Sequence, residues 1–179
     1  MYSVQKSLLT ASKRKRSRGL QVDDETMHQI DALLIKEDPP HLYVAESGTK
    51  GKAVFTKVDI LKGTRVVSYD GALISEDEAS HLEELYNLQN CGCYLFFFKE
   101  PNQRKHRVID ATADNGRIGR LINHSKRKPN LKPVLFYDRN RPYVLFEACR
   151  NISKGEELLY DYNDHRRHVI ACNPWLEHD

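Results

Sequence analysis

The chain has 179 residues and a formal net charge of +3, with 40% hydrophobic and 30% charged residues. This length suits one domain with an additional segment, and a domain of this size buries about two thirds of its unfolded surface. No apolar run approaches the roughly 20 residues that span a bilayer, and no secretory signal pattern is present at the N-terminus. We therefore expect a soluble intracellular protein that does not contact a membrane.

The cysteines exclude most zinc modules. There are four, Cys91, Cys93, Cys149 and Cys172, and structural zinc sites need Cys or His pairs at regular short spacings. Cys91 and Cys93 are one residue apart, and no second pair stands at ligand spacing. We expect reduced thiols in or near a core, and no bound metal.

Residues 1–22 have the composition of a flexible basic arm. Five cations lie within six residues of one another: Lys13, Arg14, Lys15, Arg16 and Arg18. Clusters of this kind contact nucleic acid, an acidic protein surface or a nuclear import receptor. The alternative is a solvated tail with no specific partner.

A helix is predicted over residues 24–36, within an N-terminal flanking segment of residues 23–40. Its apolar residues recur at the spacing of one helical face, and they are Met27, Ile30, Leu33 and Leu34. Asp23 and Asp24 suit the helix N-terminus, and the pair Pro39-Pro40 ends it.

The remainder is predicted to be mainly β. Short β-branched or aromatic runs are separated by glycines, with later strands expected at 93–98, 107–111, 134–137, 143–146 and 158–162. Ser75-Glu76-Asp77-Glu78 has the form of a capping box and opens a second helix. Asp138-Arg139-Asn140-Arg141 forms a hairpin turn. There is no βαβ alternation, which argues against a doubly wound nucleotide-binding fold.

Two stretches place polar residues where a core strand or a tight turn is expected. They are Gly119-Arg120-Leu121-Ile122-Asn123-His124-Ser125 and Gly155-Glu156-Glu157-Leu158-Leu159-Tyr160-Asp161-Tyr162. Tyr160 and Tyr162 are two residues apart, so on a strand they share one face and can line a dry aromatic slot. Taken alone, each stretch is also compatible with ordinary sheet packing or a structural turn.

In this order the two stretches resemble the signature of the SET-domain family. Lys50-Gly51-Lys52-Ala53 is similar to the family's glycine-rich cofactor loop, and Tyr69-Asp70-Gly71 to its Tyr-x-Gly motif. The resemblance covers residues 41–163. It implies a SET-domain fold of several small curved sheets, mainly β with α, in which the C-terminal motif passes under a loop as a pseudoknot. Residues 164–179 would then cover the cofactor.

The resemblance implies an S-adenosylmethionine-dependent histone lysine N-methyltransferase, acting in the nucleus on chromosomes. Gly92-Cys93-Tyr94, Lys126 and the closing Asn173-Pro174-Trp175-Leu176 resemble the subfamily that adds one methyl group to histone H4 lysine 20. The implied partner is the histone H4 tail within the nucleosome, with the basic arm contacting the nucleosomal acidic surface or DNA. We expect a monomer, since no exposed apolar pattern demands a partner.

The resemblance also implies roles for individual residues. The cofactor would be bound by Lys50, Gly51, Lys52, Tyr94, Asn123, His124 and Trp175. Tyr162 would be the catalytic tyrosine, Tyr69 would line the lysine channel, and the hydroxyl of Tyr160 would leave little room for a methylated nitrogen.

Two features depart from the family pattern. Ala53 stands where the cofactor loop usually has a second glycine, so the backbone there must tolerate a Cβ. Residues 126–140 differ from the family and carry Lys126, Arg127, Lys128 and Lys132. This segment either alters the peptide groove or is a variable loop.

Three other functions account for part of the sequence. A hydrolase using Cys93 or Ser125 with His124 lacks a nucleophile elbow, and neighbouring His and Ser rarely face each other on a strand. A SET-fold module that has lost catalysis would dock on chromatin without needing Tyr162, Asn123 and His124. A basic nucleic-acid binder explains the arm and leaves both polar stretches unexplained.

Overall fold

The computed structural model describes residues 4–6, 23–89, 91–101, 103–164, 170 and 175–178. The proposed basic arm, with Lys13, Arg14, Lys15, Arg16 and Arg18, lies outside these residues. The elements are β1 (Val4–Lys6), α1 (Asp24–Leu34), β2 (Leu42–Glu46), β3 (Lys52–Thr56), β4 (Arg65–Tyr69), β5 (Ala72–Ser75), α2 (Glu76–Leu88), β6 (Leu95–Phe98), β7 (Arg107–Asp110), β8 (Asn123–His124), β9 (Leu131–Asp138), β10 (Arg141–Ala148), β11 (Leu159–Tyr160) and α3 (Trp175–His178). Single 3-10 turns lie at Gly48–Lys50 and Gly119–Leu121.

The strands form three small sheets. One has the order β1-β6-β7-β5, the second β4-β10-β9-β11-β8, and β2 pairs with β3 alone. The β9–β10 hairpin turns at Arg139 and Asn140, whose positive φ angles of 46° and 68° match the twist that a two-residue hairpin turn requires. The predicted class, mainly β with helices and several small sheets, is confirmed.

Strand β11 passes between two strands that are neighbours in the sequence. It pairs in parallel with β8 on one side, through Leu159–Asn123 and Tyr160–His124, and with β9 on the other, through Tyr160–Leu131. Residues 125–130 join β8 to β9 and must therefore cross β11. This crossing corresponds to the pseudoknot that the family resemblance implies. Such an arrangement is unusual, because protein chains rarely thread one segment through a loop of another.

The two main sheets share a core rich in aromatic side chains. Fully buried aromatic residues from four strands meet there, namely Tyr69, Phe96, Phe98, Phe146 and Tyr160. Alternation along β6 separates two clusters, because Phe96 and Phe98 face this core while Leu95 and Phe97 pack with Ala79 of α2. Tyr160 and Tyr162 of the second polar stretch are therefore part of the main core.

Helix α1 begins where predicted and buries only part of the predicted face, which includes Leu34. The Asp23 side chain accepts from the Thr26 N–H at 2.8 Å and caps the helix, which ends at Leu34, two residues before the predicted end. Ile30 and Leu33 are exposed, whereas Asp31 is buried. Arg65 draws Asp31 inward, since its guanidinium lies 3.3 Å from the Asp31 carboxylate and also pairs with Glu147.

Helix α2 has the predicted capping box. The Ser75 hydroxyl accepts from the Glu78 N–H at 3.2 Å, and the Glu78 carboxylate accepts from the Ser75 N–H at 2.8 Å. Its later leucines, Leu85 and Leu88, are exposed. Among the described residues, no helix has the length and apolar composition to cross a membrane.

Candidate active site

Three tyrosines converge at the C-terminal end of β11. The Tyr160 and Tyr162 rings lie 4.7 Å apart between centroids, and the Tyr160 ring lies 4.5 Å from Phe146. Phe96 connects Tyr160, at 6.1 Å, to Tyr69, at 5.0 Å. The predicted shared face of Tyr160 and Tyr162 is thus an aromatic slot, and we call Tyr69, Tyr160 and Tyr162 the tyrosine cluster.

The three hydroxyl groups of the cluster differ in their hydrogen bonding. The Tyr69 hydroxyl donates to the Tyr94 carbonyl at 3.0 Å, and the Tyr162 hydroxyl donates to the Ile122 carbonyl at 2.9 Å. The Tyr160 hydroxyl is buried and has no hydrogen-bond partner among the described residues. A buried polar group without a partner is costly, so this hydroxyl is suited to hold a polar atom of a ligand or a water.

Burial keeps the phenols of Tyr69 and Tyr160 protonated. Loss of solvation raises the pKa of Tyr160 well above its usual value, and the neighbouring Tyr162 and Tyr69 raise it further. Burial likewise raises the pKa of Tyr69, with Tyr162 as the next contributor. Tyr69 and Tyr160 therefore offer neutral hydroxyls in a dry, low-dielectric space rather than phenolate bases.

His124 is held as a neutral imidazole by main-chain groups on both sides. The Tyr162 N–H donates to Nδ1 at 3.1 Å, so the proton of the ring lies on Nε2, which donates to the Leu176 carbonyl at 3.1 Å. The ring is buried and meets the Tyr162 ring edge-on at 5.0 Å. His124 thus ties α3 and the catalytic candidate Tyr162 to β8.

The predicted cofactor loop packs against β8. The Lys50 ammonium donates to the His124 carbonyl at 3.2 Å, and the Asn123 amide donates to the Lys52 carbonyl at 3.3 Å. Gly51 has φ +76°, and a Cβ there would meet nothing within 4 Å, so the loop presents bare backbone to open space. Four of the predicted cofactor residues, Lys50, Gly51, Lys52 and Asn123, are therefore brought together beside His124.

Ala53 does not disturb this loop. It lies in β3, is fully buried, and is not among the residues with positive φ. A Cβ is tolerated because the strand conformation is ordinary for an L-residue. The objection that this substitution raised against a functional cofactor loop is removed.

Glu157 links the loop to Asn123, which the sequence did not reveal. One carboxylate oxygen accepts from the Asn123 amide at 3.0 Å, and the other accepts from the Ser47 hydroxyl at 2.9 Å. In the sequence, Glu157 is distinguished only as part of the second polar stretch. Its position directly before Leu158 and Leu159 is a sequence signal, because a carboxylate next to a buried strand needs a hydrogen-bonding or charged partner.

Asn130 fixes the strand that carries Tyr160. It is fully buried, its amide donates to the Glu157 carbonyl at 2.7 Å, and its carbonyl oxygen accepts from the Leu159 N–H at 2.8 Å. These bonds replace ladder bonds where β11 passes β9. No sequence pattern indicates this role, because Asn130 follows Pro129 in a segment with the composition of a loop.

Tyr94 packs against Arg120. The Arg120 guanidinium lies 4.8 Å from the centre of the Tyr94 ring and donates to the Ala111 carbonyl at 3.2 Å. A Cβ at Gly119 would overlap the Ser68 carbonyl oxygen, so only glycine allows this turn to lie against β4. Tyr94 is joined to the tyrosine cluster through the Tyr69 hydroxyl.

The last predicted cofactor residue is only partly placed. The backbone of Trp175 begins α3, and its side chain lies outside the described residues. The neighbouring Leu176 is buried in the main core and holds His124 through its carbonyl. Cys91, Cys93 and Cys149 are free thiols, and no group of metal-binding side chains occurs in the part of the chain that the structure describes.

These features fit a small ligand with a polar and a reactive end. Glycine backbone and the Asn123–His124 strand border one side, and the buried Tyr160 hydroxyl without a partner marks the other. The residues present are therefore compatible with S-adenosylmethionine at the loop and an amine at the tyrosine cluster.

The family model of the SET domain matches residues 51–163. The chain belongs to the SET-domain family, and the relatives it matches are named histone-lysine or N-lysine methyltransferases. It is similar to proteins named Set8 and KMT5A. It is 41% identical over 167 residues to histone-lysine N-methyltransferase set-1 of Caenorhabditis elegans, covering 92% of this chain and 67% of that one.

Two further comparisons agree. The chain is 37% identical to N-lysine methyltransferase KMT5A of Xenopus tropicalis over 90% of its length. The crystal structure of CpSET8 from Cryptosporidium superposes with a TM-score of 0.70 at 34% identity, covering 83% of this chain and 70% of that one. The chain spans about two thirds of the nematode relative and 48% of the frog relative.

Proposed function

We propose that this protein is an S-adenosylmethionine-dependent histone lysine N-methyltransferase that places a single methyl group on lysine 20 of histone H4 within the nucleosome. The observation that carries the proposal is the buried Tyr160 hydroxyl, which has no described partner and lies in an aromatic slot beside Tyr162. The names of the relatives support the substrate class, since they are histone-lysine or N-lysine methyltransferases.

When bound, S-adenosylmethionine supplies an electrophilic methyl group. A lysine amine has a pKa of about 10.4 in water and must be neutral to attack. The dry slot formed by Tyr69, Tyr160 and Phe146 disfavours an ammonium ion and so lowers the pKa of an inserted amine. Holding the amine in line with its target contributes several kcal/mol by orientation alone.

The tyrosines divide the work. The Tyr162 hydroxyl is fixed by the Ile122 carbonyl, so its position next to β8 is set before any ligand arrives. The cofactor is proposed to lie around that position, held by Lys50, Gly51, Lys52, Tyr94, Asn123 and His124. Trp175 is proposed to cover it. No covalent intermediate on the enzyme and no metal are needed.

Tyr160 is proposed to limit the reaction to one methyl group. Its free hydroxyl can bind the amine or a water, and that polar contact occupies the space an already methylated nitrogen would need. Phe96, Phe146 and Tyr162 pack around the ring, so it cannot turn aside. Replacement by phenylalanine removes the polar atom and keeps the ring.

The test is methyl transfer to recombinant nucleosomes, with the product resolved by mass spectrometry. We expect one methyl on histone H4, two or more with Tyr160→Phe, and at least a hundredfold loss of rate with Tyr162→Phe. Cofactor binding and thermal melting of both variants serve as folding controls. An unchanged product distribution with Tyr160→Phe would contradict the specificity role, and transfer to another histone would remove the H4 assignment.

The nucleosomal context gives roles to the remaining predictions. The basic arm would contact acidic histone surface or DNA phosphate, and the protein would act in the nucleus as a monomer on chromosomes. Charge-assisted contacts of arginine weaken as salt rises. Neutralising Lys13, Arg14, Lys15, Arg16 and Arg18 is therefore expected to lower activity on nucleosomes more than on a free H4 peptide. Equal loss on both substrates would count against the arm.

A further inference from the structure

Three consecutive exposed cations lie on the connection that crosses β11. They are Lys126, Arg127 and Lys128, and we call them the basic loop. None of them forms an ion pair with a described residue, whereas the nearby Lys132 is paired with Glu147 at 2.8 Å. Charges of one sign that remain unpaired at adjacent positions create a local positive potential.

The ends of the basic loop are fixed. Ser125 is buried, its N–H donates to the Tyr160 carbonyl at 3.1 Å, and its hydroxyl accepts from the Lys128 N–H at 3.1 Å. At the far end the Asn130 N–H donates to the Leu159 carbonyl at 3.0 Å. The backbone of the loop is thus anchored on both sides of the strand that carries the tyrosine cluster, which reduces the backbone entropy lost on binding.

The surroundings of the basic loop favour a nucleic acid backbone over a protein surface. Protein interfaces are centred on buried apolar or aromatic anchors, and no large exposed apolar residue occurs among residues 119–136. Phosphate contacts need only positioned Lys and Arg side chains and carry no base specificity. A run of exposed cations on an anchored backbone satisfies that need.

We infer that the basic loop binds the phosphate backbone of duplex DNA, independently of base sequence, next to the methyl-transfer site. The setting rests on the proposed function, because DNA lies close to histone tails in a nucleosome. Arg127 and Lys128 carry most of the contact. Lys126 contributes less, since it lines a cleft with the acidic side chains of Asp161 and Glu177.

The decisive measurement is binding of the full chain to a labelled duplex of arbitrary sequence over a range of salt concentrations. Each phosphate contact contributes about −0.9 to the slope of log K against log salt. The double variant R127Q/K128Q is therefore expected to reduce the steepness of that slope by about 1.8. The control K62Q/K99Q removes the same charge from exposed sites elsewhere and is expected to leave the slope unchanged. All variants retain the basic arm, so its contribution cancels.

Activity provides a second readout. R127Q/K128Q is expected to lower methyl transfer to nucleosomes at least fivefold and to leave kcat on a free H4 peptide unchanged. Equal DNA binding by variant and unaltered protein overturns the inference, and so does equal loss on peptide and nucleosome, which would assign the loop to the peptide groove. Weaker binding to nucleosomes with unchanged DNA binding would assign it to acidic histone surface instead. If no variant transfers methyl groups, the proposed function fails, while the DNA measurement still decides the loop.

Discussion

Replacing Asn130 by alanine tests how β11 is held in the fold. The substitution removes three side-chain hydrogen bonds. The Asn130 side-chain amide donates to the Glu157 backbone carbonyl and to the Glu156 carboxylate, and its side-chain oxygen accepts from the Leu159 N–H. A net contribution of about 1 kcal/mol for each gives about 3 kcal/mol. The Leu159 N–H also loses its acceptor in a partly buried position, which adds to the cost.

The assay is urea unfolding of Asn130→Ala beside unaltered protein. A loss of about 3 kcal/mol corresponds to a fall in melting temperature of about 6–12 °C for a chain of this size, with an unchanged m-value. The control Asn151→Ala removes one exposed bond, to the Lys62 N–H at 2.9 Å, and is expected to cost under about 1 kcal/mol. A loss below about 1 kcal/mol for Asn130→Ala would refute the view that its side chain holds β11 in place.

Three further changes have definite expected outcomes. Gly119→Ala should destabilise the protein by at least about 2 kcal/mol in urea unfolding, because its Cβ would overlap the Ser68 carbonyl. Above pH 10, stability should fall by about 1.4 kcal/mol per pH unit for each buried phenol. Tyr69 and Tyr160 have raised pKa values in the fold, so the unfolded chain releases protons first. Glu157→Gln should raise the KM for S-adenosylmethionine severalfold with a smaller effect on kcat.

Each of these predictions has a matched comparison. Gly63 has φ +87° and open space around it, so Gly63→Ala should cost about 1–2 kcal/mol from backbone strain alone. A cost at Gly119 no greater than that at Gly63 would contradict the steric argument. Tyr160→Phe removes one buried phenol, so above pH 10 the stability should fall less steeply by about 1.4 kcal/mol per pH unit. An unchanged slope would contradict burial of the Tyr160 hydroxyl. Glu156→Gln removes the charge beside Arg150 and Asn130 instead, and an identical effect on the cofactor KM would remove the specific role of Glu157.

Local sequence patterns predict the individual elements, the family and the residues proposed for the site. A two-residue spacing places Tyr160 and Tyr162 on one face of any strand, and the Ser75–Glu78 box starts a helix whatever it packs against. The order of the polar stretches identified the SET domain. These signals depend on residues within a few positions of one another, so they can be recognised without knowing the fold.

Tertiary structure alone decided which groups meet. Ser47 and Glu157 are 110 residues apart, and Asn123 and Glu157 are 34 apart, so no local pattern predicts their hydrogen bonds. The same limit explains why α1 buries Asp31 rather than Ile30 and Leu33: the ion pair with Arg65 comes from another part of the chain. Periodicity predicts that a helix has an inner face, but the partner across the interface decides which residues lie on it, because a buried charge is stable only where a partner is present.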